Sequence, residues 1–201
     1  MKNFIISLFA LFILISCGDS STSLSPLDSS ANILAFGDSL TEGYGVKEAE
    51  SYPAYLTELT NRNVINAGIS GEVSKNGLRR LPGLLDMHEP DLVVICHGGN
   101  DILKKQNMSA MKANVMEMIA LSQAAGADVI LLGVPNFGLF LSSHDVYVEI
   151  AEQTNVVFLD ELIPDVLGDK SLKSDTVHPN AKGYQVMAEA IYKALQKHGA
   201  L

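Results

Sequence analysis

The sequence predicts an α/β fold in which a parallel β-sheet is covered by helices on both faces. Five short apolar runs, each compatible with a strand, alternate along the chain with longer segments whose apolar residues recur at helical spacing. The run Leu92–Cys96 is apolar throughout, which is typical of a parallel strand covered on both faces. The chain has no internal repeat and no second domain boundary. We therefore expect one domain, with functional residues following the strands at the carboxyl edge of the sheet.

The predicted strands are short apolar runs that end in glycine or in a polar turn. In chain order they are Ile33–Phe36, Val64–Asn66, Leu92–Cys96, Val129–Val134 and Val156–Leu159. The segments between them have the spacing of amphipathic helices. These are Tyr52–Leu59, Gly77–Met87, Ser109–Ala125, Val146–Gln153 and a last helix that Pro179 opens and that runs to about Lys197.

The charge of the chain argues against nucleic acid as a partner. The formal net charge is −9 at pH 7, and the lysines and arginines are scattered along the sequence. Nucleic-acid binding needs a clustered basic surface, so this class of function is excluded. For the same reason we expect no attraction to anionic lipid head groups.

The N-terminus is predicted to be an export signal. Lys2 precedes Phe4–Ile15, an almost wholly apolar run that is shorter than the roughly 20 residues of a membrane span. A buried hydrophobic helix is the alternative, but a polar stretch follows at once. Leu14–Cys17 resembles a bacterial lipobox, whose cysteine is lipidated and becomes the mature N-terminus. An ordinary cleavage site with an incidental cysteine is the other interpretation.

Three segments follow from this interpretation. We expect a lipoprotein-type signal peptide over 1–16, a serine-rich flexible tether over 17–31 and a folded domain over 32–201. The protein would be exported and attached to a membrane through Cys17, on the periplasmic or cell-surface side. Cys96, the other cysteine, ends an apolar strand and is expected to be a core residue without a disulfide.

A glycine-rich turn with a serine follows the first predicted strand. Gly37–Gly45 contains Ser39 and lacks both the Lys-Ser/Thr pair of a P-loop and the glycine spacing of a dinucleotide site. The turn would expose the Ser39 hydroxyl at the sheet edge, where it suits a nucleophile. A serine that only caps the next helix is an equally simple explanation.

A carboxylate and a histidine near the C-terminus supply what a serine nucleophile needs. Asp175 stands three residues before His178, in a turn ahead of the last helix. A histidine activates a serine by taking its proton, and a carboxylate holds the imidazole in one tautomer. A metal pair is the competing interpretation, but no third ligand is evident. We interpret His88, His144 and His198 as solvated surface residues.

Two more loops follow strands and offer hydrogen-bond donors. Asn66–Gly71 follows the second strand, and Gly98–Asp101 follows the third. Acyl transfer needs donors aimed at the oxygen that becomes negative. The backbone N–H of Gly68 and the side-chain amide of Asn100 are the candidates, although each is also an ordinary loop residue when taken alone.

These motifs together resemble the four sequence blocks of the GDSL/SGNH hydrolases. The matching residues, in order, are Ser39 in Gly-Asp-Ser-Leu, Gly68, Asn100 in Gly-Gly-Asn-Asp and His178 in Asp-x-x-His-Pro. The resemblance implies a three-layer α/β/α, flavodoxin-like fold with a five-stranded parallel sheet. It also implies a catalytic triad of Ser39, Asp175 and His178 that works without a cofactor or a metal.

The same resemblance implies an oxyanion hole and two structural carboxylates. The N–H groups of Ser39 and Gly68 and the Asn100 amide would bind the oxyanion. Asp38 and Asp101 would orient the loops rather than react.

The resemblance extends over Asn32–Leu195 and includes two departures. Glu50–Ala54 and Gly77–Leu81 are similar to the branch of acyl-thioesterases, lysophospholipases and arylesterases. His97 replaces the small or apolar residue of many relatives, and we expect it to be hydrogen-bonded at the strand end rather than to line the site. Val134–Leu141 matches a substrate-contacting loop. Its apolar side chains suit either an acyl chain or the core, and they are Phe137, Leu139, Phe140 and Leu141.

We therefore expect a serine carboxylic ester hydrolase that forms an acyl-enzyme and acts on a small-molecule ester or lipid. A carbohydrate O-deacetylase is the alternative within enzymes, and activity confined to acetate esters would favour it. A non-catalytic surface lipoprotein that binds a ligand at the same sheet edge is the alternative outside enzymes. Lack of reaction with a fluorophosphonate probe would favour that class.

Overall fold

A computed structural model describes residues 22–136 and 141–201. In this part of the chain, five parallel strands form one sheet in the order β2-β1-β3-β4-β5. The strands are β1 (Asn32–Gly37), β2 (Asn63–Gly68), β3 (Leu92–Cys96), β4 (Asp128–Leu132) and β5 (Val157–Leu159). The sheet has the flavodoxin-like strand order, so the fold class predicted from the sequence is confirmed.

Eight α-helices lie in the described part of the chain. They are α1 (Ser39–Glu42), α2 (Tyr52–Thr60), α3 (Ser74–His88), α4 (Gly99–Leu103), α5 (Met108–Ala124), α6 (Asp145–Thr154), α7 (Leu162–Gly168) and α8 (Ala181–Lys197). One helical layer forms where α8 packs against α2 and α7, and a second forms where α5 packs against α3 and α6. The sheet lies between these layers. The short helices α1, α4 and α7 were not predicted, because four to seven residues show no helical period.

The central strands β1 and β3 form the middle of the core. Residues 33–36 and 92–96 are fully buried, as two covered faces require. Cys96 is among them, so the prediction of a core cysteine is confirmed, and burial raises the pKa of its thiol well above the ordinary value. The chain reverses its direction of winding at β1, which lies between β2 and β3. Ligands bind at such a switch point, outside the carboxyl ends of the strands.

The N-terminal segment is bound to the domain from residue 22 onward. The N–H groups of Leu24 and Leu27 donate to the carbonyl oxygens of His198 and Ala200, at 2.9 Å each, and both leucine side chains are buried. The predicted flexible tether is therefore wrong for residues 22–31, because two buried leucines dock this serine-rich stretch. Residues 1–21, with the predicted signal peptide and Cys17, lie outside the described residues.

Two smaller expectations change in the structure. Pro179 does not open α8, because Asn180 caps the helix with its side chain, which accepts from the Gly183 N–H at 3.1 Å. The imidazoles of His144 and His198 are half-buried and hydrogen-bonded rather than solvated. None of the helices described is both long enough and apolar enough to cross a membrane.

Candidate active site

Ser39 is the first residue of α1 and stands two residues after Gly37, the last residue of β1. The preceding Asp38 caps the helix, and its carboxylate accepts from the Leu40 N–H at 3.2 Å. The hypothesis that Ser39 is only a cap is therefore wrong. Gly37 permits β3 and α1 to approach this end of β1 closely, because a Cβ there would overlap the Cys96 carbonyl and the Thr41 side chain. The Ser39 hydroxyl is consequently presented at the carboxyl edge of the sheet.

The structure brings His178 and Asp175 to Ser39 across 139 residues of sequence. The imidazole Nε2 lies 3.1 Å from Ser39 Oγ, and Nδ1 lies 2.8 Å from Asp175 Oδ2. The other carboxylate oxygen, Oδ1, accepts from the Val177 and His178 N–H groups at 2.8 and 2.9 Å. The predicted nucleophile, base and orienting carboxylate are therefore in a continuous chain of hydrogen bonds.

The Asp175 carboxylate stays ionised in this arrangement. Partial burial acts to raise its pKa, but the hydrogen bond from the Val177 N–H and the contact with His178 outweigh that effect and hold the pKa below the ordinary value. An ionised carboxylate accepts from Nδ1–H and leaves the Nε2 lone pair facing Ser39. This is the tautomer that a general base needs.

Two tyrosines that the sequence analysis did not single out complete this half of the site. The Tyr184 hydroxyl of α8 donates toward the carbonyl oxygens of Ser39 and Tyr44, at 3.4 and 3.2 Å. The Tyr44 ring stacks on His178, with 4.4 Å between ring centroids and 34° between the planes. Gly43 and Gly45 have φ of 91° and 85°, which lets this loop fold back over the imidazole. No sequence motif marks either tyrosine as a site residue, so their roles are evident only in the structure.

Asn100 lies in α4, which follows β3, and it lines the same cleft as Ser39. Its side-chain Nδ2 donates to Asp38 Oδ2 at 3.0 Å, which fixes the plane of the amide. Asp38 is buried, and this desolvation raises its pKa. Asp101 accepts from both the N–H and the hydroxyl of Ser74, at 2.7 Å each, and thereby ties the β3 loop to α3. Both carboxylates orient loops, as predicted.

Gly68 does not contribute to this cleft, and its predicted role as an oxyanion donor is wrong. Its N–H donates to Asn66 Oδ1 at 3.0 Å, and its α-carbon packs against the Thr41–Glu42 backbone of α1, where a Cβ would overlap. The cause is the length of β2, which continues to Gly68 instead of ending at Asn66. The turn that faces the cleft therefore begins after Gly68.

Gly71 occupies the position that was predicted for Gly68. It lines the cleft with Ser39 and Asn100, and its φ of 77° lies in the left-handed region, which glycine adopts readily. Its N–H and that of Ser39 donate to no acceptor in residues 22–136 or 141–201. The sequence contained a signal for this residue, because Asn66–Gly71 holds two glycines, but the choice between them depends on where the strand ends.

The cleft itself is small and partly apolar. It has a volume of about 280 Å³, and its walls between the polar groups are Leu40, Tyr44, Leu103, Val134 and Val177. The described residues contain no cluster of three or more side chains that would suit a metal ion. The cleft brings together a nucleophile with a base and three residues that carry hydrogen-bond donors, which is what acyl transfer requires.

Of the two departures from the family pattern, His97 does not line this cleft, and the loop Val134–Leu141 lies partly outside the described residues. His97 is fully buried, and its Nε2 lies 3.2 Å from Glu72 Oε2, in agreement with a hydrogen-bonded histidine at the strand end. Leu141 is half-buried against the core. Phe137, Leu139 and Phe140 lie outside the described residues.

Comparison with known proteins points to the same chemistry. The model of the GDSL-like lipase/acylhydrolase family matches residues 35–186. An arylesterase of Vibrio mimicus is 34% identical over an alignment of 180 residues, which covers 84% of this chain and 90% of that protein. The thioesterase 1/protease 1/lysophospholipase L1 of Escherichia coli is 30% identical over an alignment of 172 residues, which covers 82% of this chain and 83% of that protein.

Two solved structures show the similarity in three dimensions. The esterase EstA from Pseudoalteromonas sp., solved with the inhibitor monoethylphosphonate, superposes with a TM-score of 0.74 at 31% identity, over 84% of this chain and 98% of its own. The structure of TesA superposes with a TM-score of 0.75 at 30% identity, over 83% of this chain and 99% of its own.

Proposed function

Because this chain belongs to the GDSL-like lipase/acylhydrolase family and is a serine ester hydrolase, we propose that Ser39 is its nucleophile, with His178 as base and Asp175 as the orienting carboxylate. The observation that carries the proposal is the hydrogen-bonded chain from Ser39 Oγ through His178 to Asp175, at 3.1 and 2.8 Å. These distances are within the range in which a proton moves between heavy atoms.

The reaction proceeds in two halves. As Ser39 Oγ attacks the ester carbonyl carbon, its proton passes to His178 Nε2, and the imidazolium that forms is stabilised by Asp175. The same Nε2–H then protonates the leaving alcohol, which breaks the ester bond and leaves an acyl group on Ser39. A water molecule gives its proton to Nε2, attacks the acyl carbon and releases the acid, and Ser39 recovers its proton.

The oxyanion of each tetrahedral intermediate is bound by the N–H groups of Ser39 and Gly71 and by the Asn100 amide. The two backbone donors make no other hydrogen bond with the described residues and line the cleft with Asn100. The negative charge appears only as the reaction proceeds, so these donors stabilise the transition state more than the ester.

The cleft supports small esters as substrates. Its volume of about 280 Å³ is near the lower end for ligand pockets, which begin at roughly 300 Å³, and Leu103, Val134 and Val177 give it an apolar wall. We propose aryl esters and esters of short acyl chains. A series of p-nitrophenyl esters from acetate to palmitate tests this: kcat/KM should be highest among the short chains. A maximum at palmitate would contradict the proposed substrate class.

Labelling with a fluorophosphonate probe tests the nucleophile. The wild-type protein should form a covalent adduct and lose esterase activity, whereas Ser39→Ala should neither label nor hydrolyse p-nitrophenyl acetate. Ser171→Ala is the matched control, because Ser171 is exposed and lies away from the cleft. Labelling of Ser39→Ala at the wild-type level would show that another residue is the nucleophile.

We further propose that the protein is an exported lipoprotein, anchored through Cys17. The support is in the sequence: Lys2, the apolar run Phe4–Ile15 and the lipobox-like Leu14–Cys17. Cys17→Ala should release the protein from membranes into the soluble fraction. Cys96→Ala, which changes a buried core thiol, is the control and should remain with membranes. Membrane retention of Cys17→Ala would contradict the anchor.

The position of residue 22 bears on how an anchored enzyme would face the membrane. Ser25 binds Asp128 at the start of β4, and Arg62, just before β2, donates to the Leu27 carbonyl, so this segment follows the amino edge of the sheet. The strands place the cleft about 20 Å away at the opposite edge. Cys17 and Thr22 are five residue steps apart, and these steps span at most about 18 Å. We therefore propose that the cleft faces away from the anchoring leaflet, toward dissolved esters.

Activity in reconstituted vesicles tests this orientation. The lipidated enzyme should hydrolyse dissolved p-nitrophenyl acetate as fast as the soluble form that lacks residues 1–17. It should leave a lysophospholipid in its own vesicle largely uncleaved at enzyme densities of one molecule per vesicle. Rapid cleavage of that lysophospholipid would contradict the orientation without affecting the catalytic assignment.

A further inference from the structure

A hydrogen-bonded network of Glu72, Arg80 and His97 lies next to Gly71 of the cleft. None of its residues takes part in the proton transfers of the proposed reaction. Glu72 is almost fully buried, and both of its carboxylate oxygens bind Arg80 Nε, at 3.0 and 2.8 Å. Its Oε2 also contacts the Nε2 of His97, which is completely buried. Because Oε2 accepts, His97 Nε2 carries the proton, while Nδ1 has no partner among the described residues.

The network joins the carboxyl ends of three strands. Arg80, which α3 contributes, donates from Nη2 to the carbonyl oxygens of Gly37 at the end of β1 and of Ala67 near the end of β2. His97 directly follows β3. Glu72 is the only one of the three network residues that binds both of the others, so one carboxylate links the groups at the three strand ends.

Each of these strand ends leads to one of the oxyanion donors. Gly37 stands two residues before Ser39, Glu72 directly follows Gly71, and His97 stands three residues before Asn100. The short spacing leaves little freedom between the network and the donors. A shift of the Glu72 carboxylate therefore moves the donor N–H of Gly71 and loosens the loops of the other two.

The imidazole of His97 is fully buried and closely packed. A Cβ on Gly77 of α3 would overlap the His97 imidazole, so the helix lies directly on the ring. The ring also contacts Phe36, with 5.4 Å between centroids, and the Arg80 guanidinium lies 4.4 Å from the Phe36 ring centroid. The network is thus held by packing as well as by hydrogen bonds.

We propose that Glu72 is a positioning residue for the oxyanion hole, acting through His97 and Arg80 to fix the donors of Ser39, Gly71 and Asn100 relative to one another. This inference rests on the proposed function of those three donors. Preorganised donors stabilise a transition state because they need no rearrangement as charge develops. An ionised carboxylate held between the fully buried His97 and the partly buried Arg80 has one favourable arrangement, and its removal leaves His97 Nε2 and Arg80 Nε without their acceptor.

Kinetics of Glu72→Gln against its matched control test the proposal. Glu149→Gln is the control, because it removes the same charge from a more exposed side chain that pairs with Lys112 and does not line the cleft. For each protein, kcat and KM are measured with p-nitrophenyl acetate, and the inhibition constant is measured with a phenylboronic acid. The boron atom accepts Ser39 Oγ while the serine proton passes to His178, so the tetrahedral adduct is an anion that presents a boron-bound hydroxyl oxygen to the donors.

We expect Glu72→Gln to lower kcat by about 10- to 100-fold, because misplacing catalytic groups by about 1 Å costs this much. KM should change little, and boronate affinity should fall by the same factor as kcat. Glu149→Gln should match the wild type in all three. If Glu72→Gln keeps kcat and boronate affinity within about twofold of wild type, or loses kcat without losing boronate affinity, Glu72 does not position the hole.

A pair of variants at His97 tests the inference if Glu72→Gln does not fold. His97→Gln places an amide N–H near the position of Nε2 and should retain boronate affinity, whereas His97→Leu keeps the volume without a donor and should lose part of it. Equal affinities in the two variants would overturn the role of the network. Failure of the proposed function looks different, because the wild type would then bind boronate no better than Ser39→Ala.

Discussion

Replacing Asp175 by asparagine isolates the contribution of one charge to catalysis. The carboxylate Oδ1 accepts from the N–H groups of Val177 and His178, so the asparagine oxygen should keep those hydrogen bonds and preserve the turn. The amide NH₂ must then face His178 Nδ1, because the oxygen is already used. An N–H opposite Nδ1 favours the tautomer with the proton on Nε2, which cannot accept the Ser39 proton.

The exposure of Asp175 sets the size of the effect. Its side chain is 47% exposed, and its carboxylate lies 2.8 Å from His178 Nδ1. Opposite charges about 4 Å apart attract by about 1 kcal/mol at the dielectric constant of water and by about 4 kcal/mol at an effective value near a protein surface. Since about 1.4 kcal/mol corresponds to a factor of ten in rate, charge loss alone lowers kcat by about 5- to 1000-fold. The tautomer with the proton on Nε2 also cannot act as the base, so the expected loss of kcat is near the upper limit of this range.

Steady-state hydrolysis of p-nitrophenyl acetate measures this loss. Asp175→Asn should lower kcat with little change in KM, and kcat of the wild type should fall more steeply with added NaCl than that of the variant, because salt screens an exposed charge. Asp169→Asn is the control: Asp169 is exposed, binds the Ser171 N–H at 2.7 Å and lies away from the cleft. A kcat within twofold of wild type for Asp175→Asn would refute the role of this carboxylate.

Three further predictions concern the other groups of the site. Asn100→Ala removes one oxyanion donor and should lower kcat for p-nitrophenyl acetate by about 100- to 1000-fold while KM stays near its wild-type value. Tyr44→Ala removes the ring stacked on His178, an interaction worth about 0.5–1 kcal/mol with the imidazolium, and should lower kcat by about 2- to 5-fold, whereas Tyr44→Phe should keep it. Burial acts to raise the pKa of Glu72, but hydrogen bonds from His97 and Arg80 outweigh it and hold the pKa below the ordinary 4.5. The ionised carboxylate therefore adds stability above pH 4.5 that is lost as the pH falls through the folded-state pKa, so the difference in Tm between wild type and Glu72→Gln should narrow between neutral and acidic pH.

The sequence carried enough information for the sheet and for the triad because both depend on local patterns. A strand covered on both faces must be apolar throughout, and β3 has the predicted bounds, Leu92–Cys96. Ser39 and the Asp175–His178 pair could be predicted because acyl transfer needs these residue types. Their positions, one after a strand and the other before a helix, agreed with that role. Nothing else in the chain offered the same combination, so the long separation in sequence did not obscure it.

The oxyanion hole depended on a feature that sequence patterns specify poorly, the last residue of an edge strand. β2 continues to Gly68 because its pairing with β1 extends to Gly37, and this moves the cleft-facing turn to Gly71. A shift of two residues at a strand end is within the ordinary uncertainty of such boundaries, but here it exchanges one glycine for another. The Glu72 network was also missed, since three side chains from separate segments have no common spacing.

The two halves of the site are held by different means, and their chemical tasks explain the difference. The oxyanion donors must stay fixed while charge develops, and they follow strand ends that the buried Glu72 carboxylate joins. The imidazole of His178 must instead exchange protons with a leaving alcohol and with water, so it lies in a partly exposed turn beside Asp175. That turn is still not free, because Tyr184 at the start of α8 binds the Ser39 carbonyl and thereby couples the base to the nucleophile. An acyl-enzyme mechanism needs both a rigid oxyanion hole and a base that the leaving alcohol and water can reach. The two halves of this site meet these two needs separately.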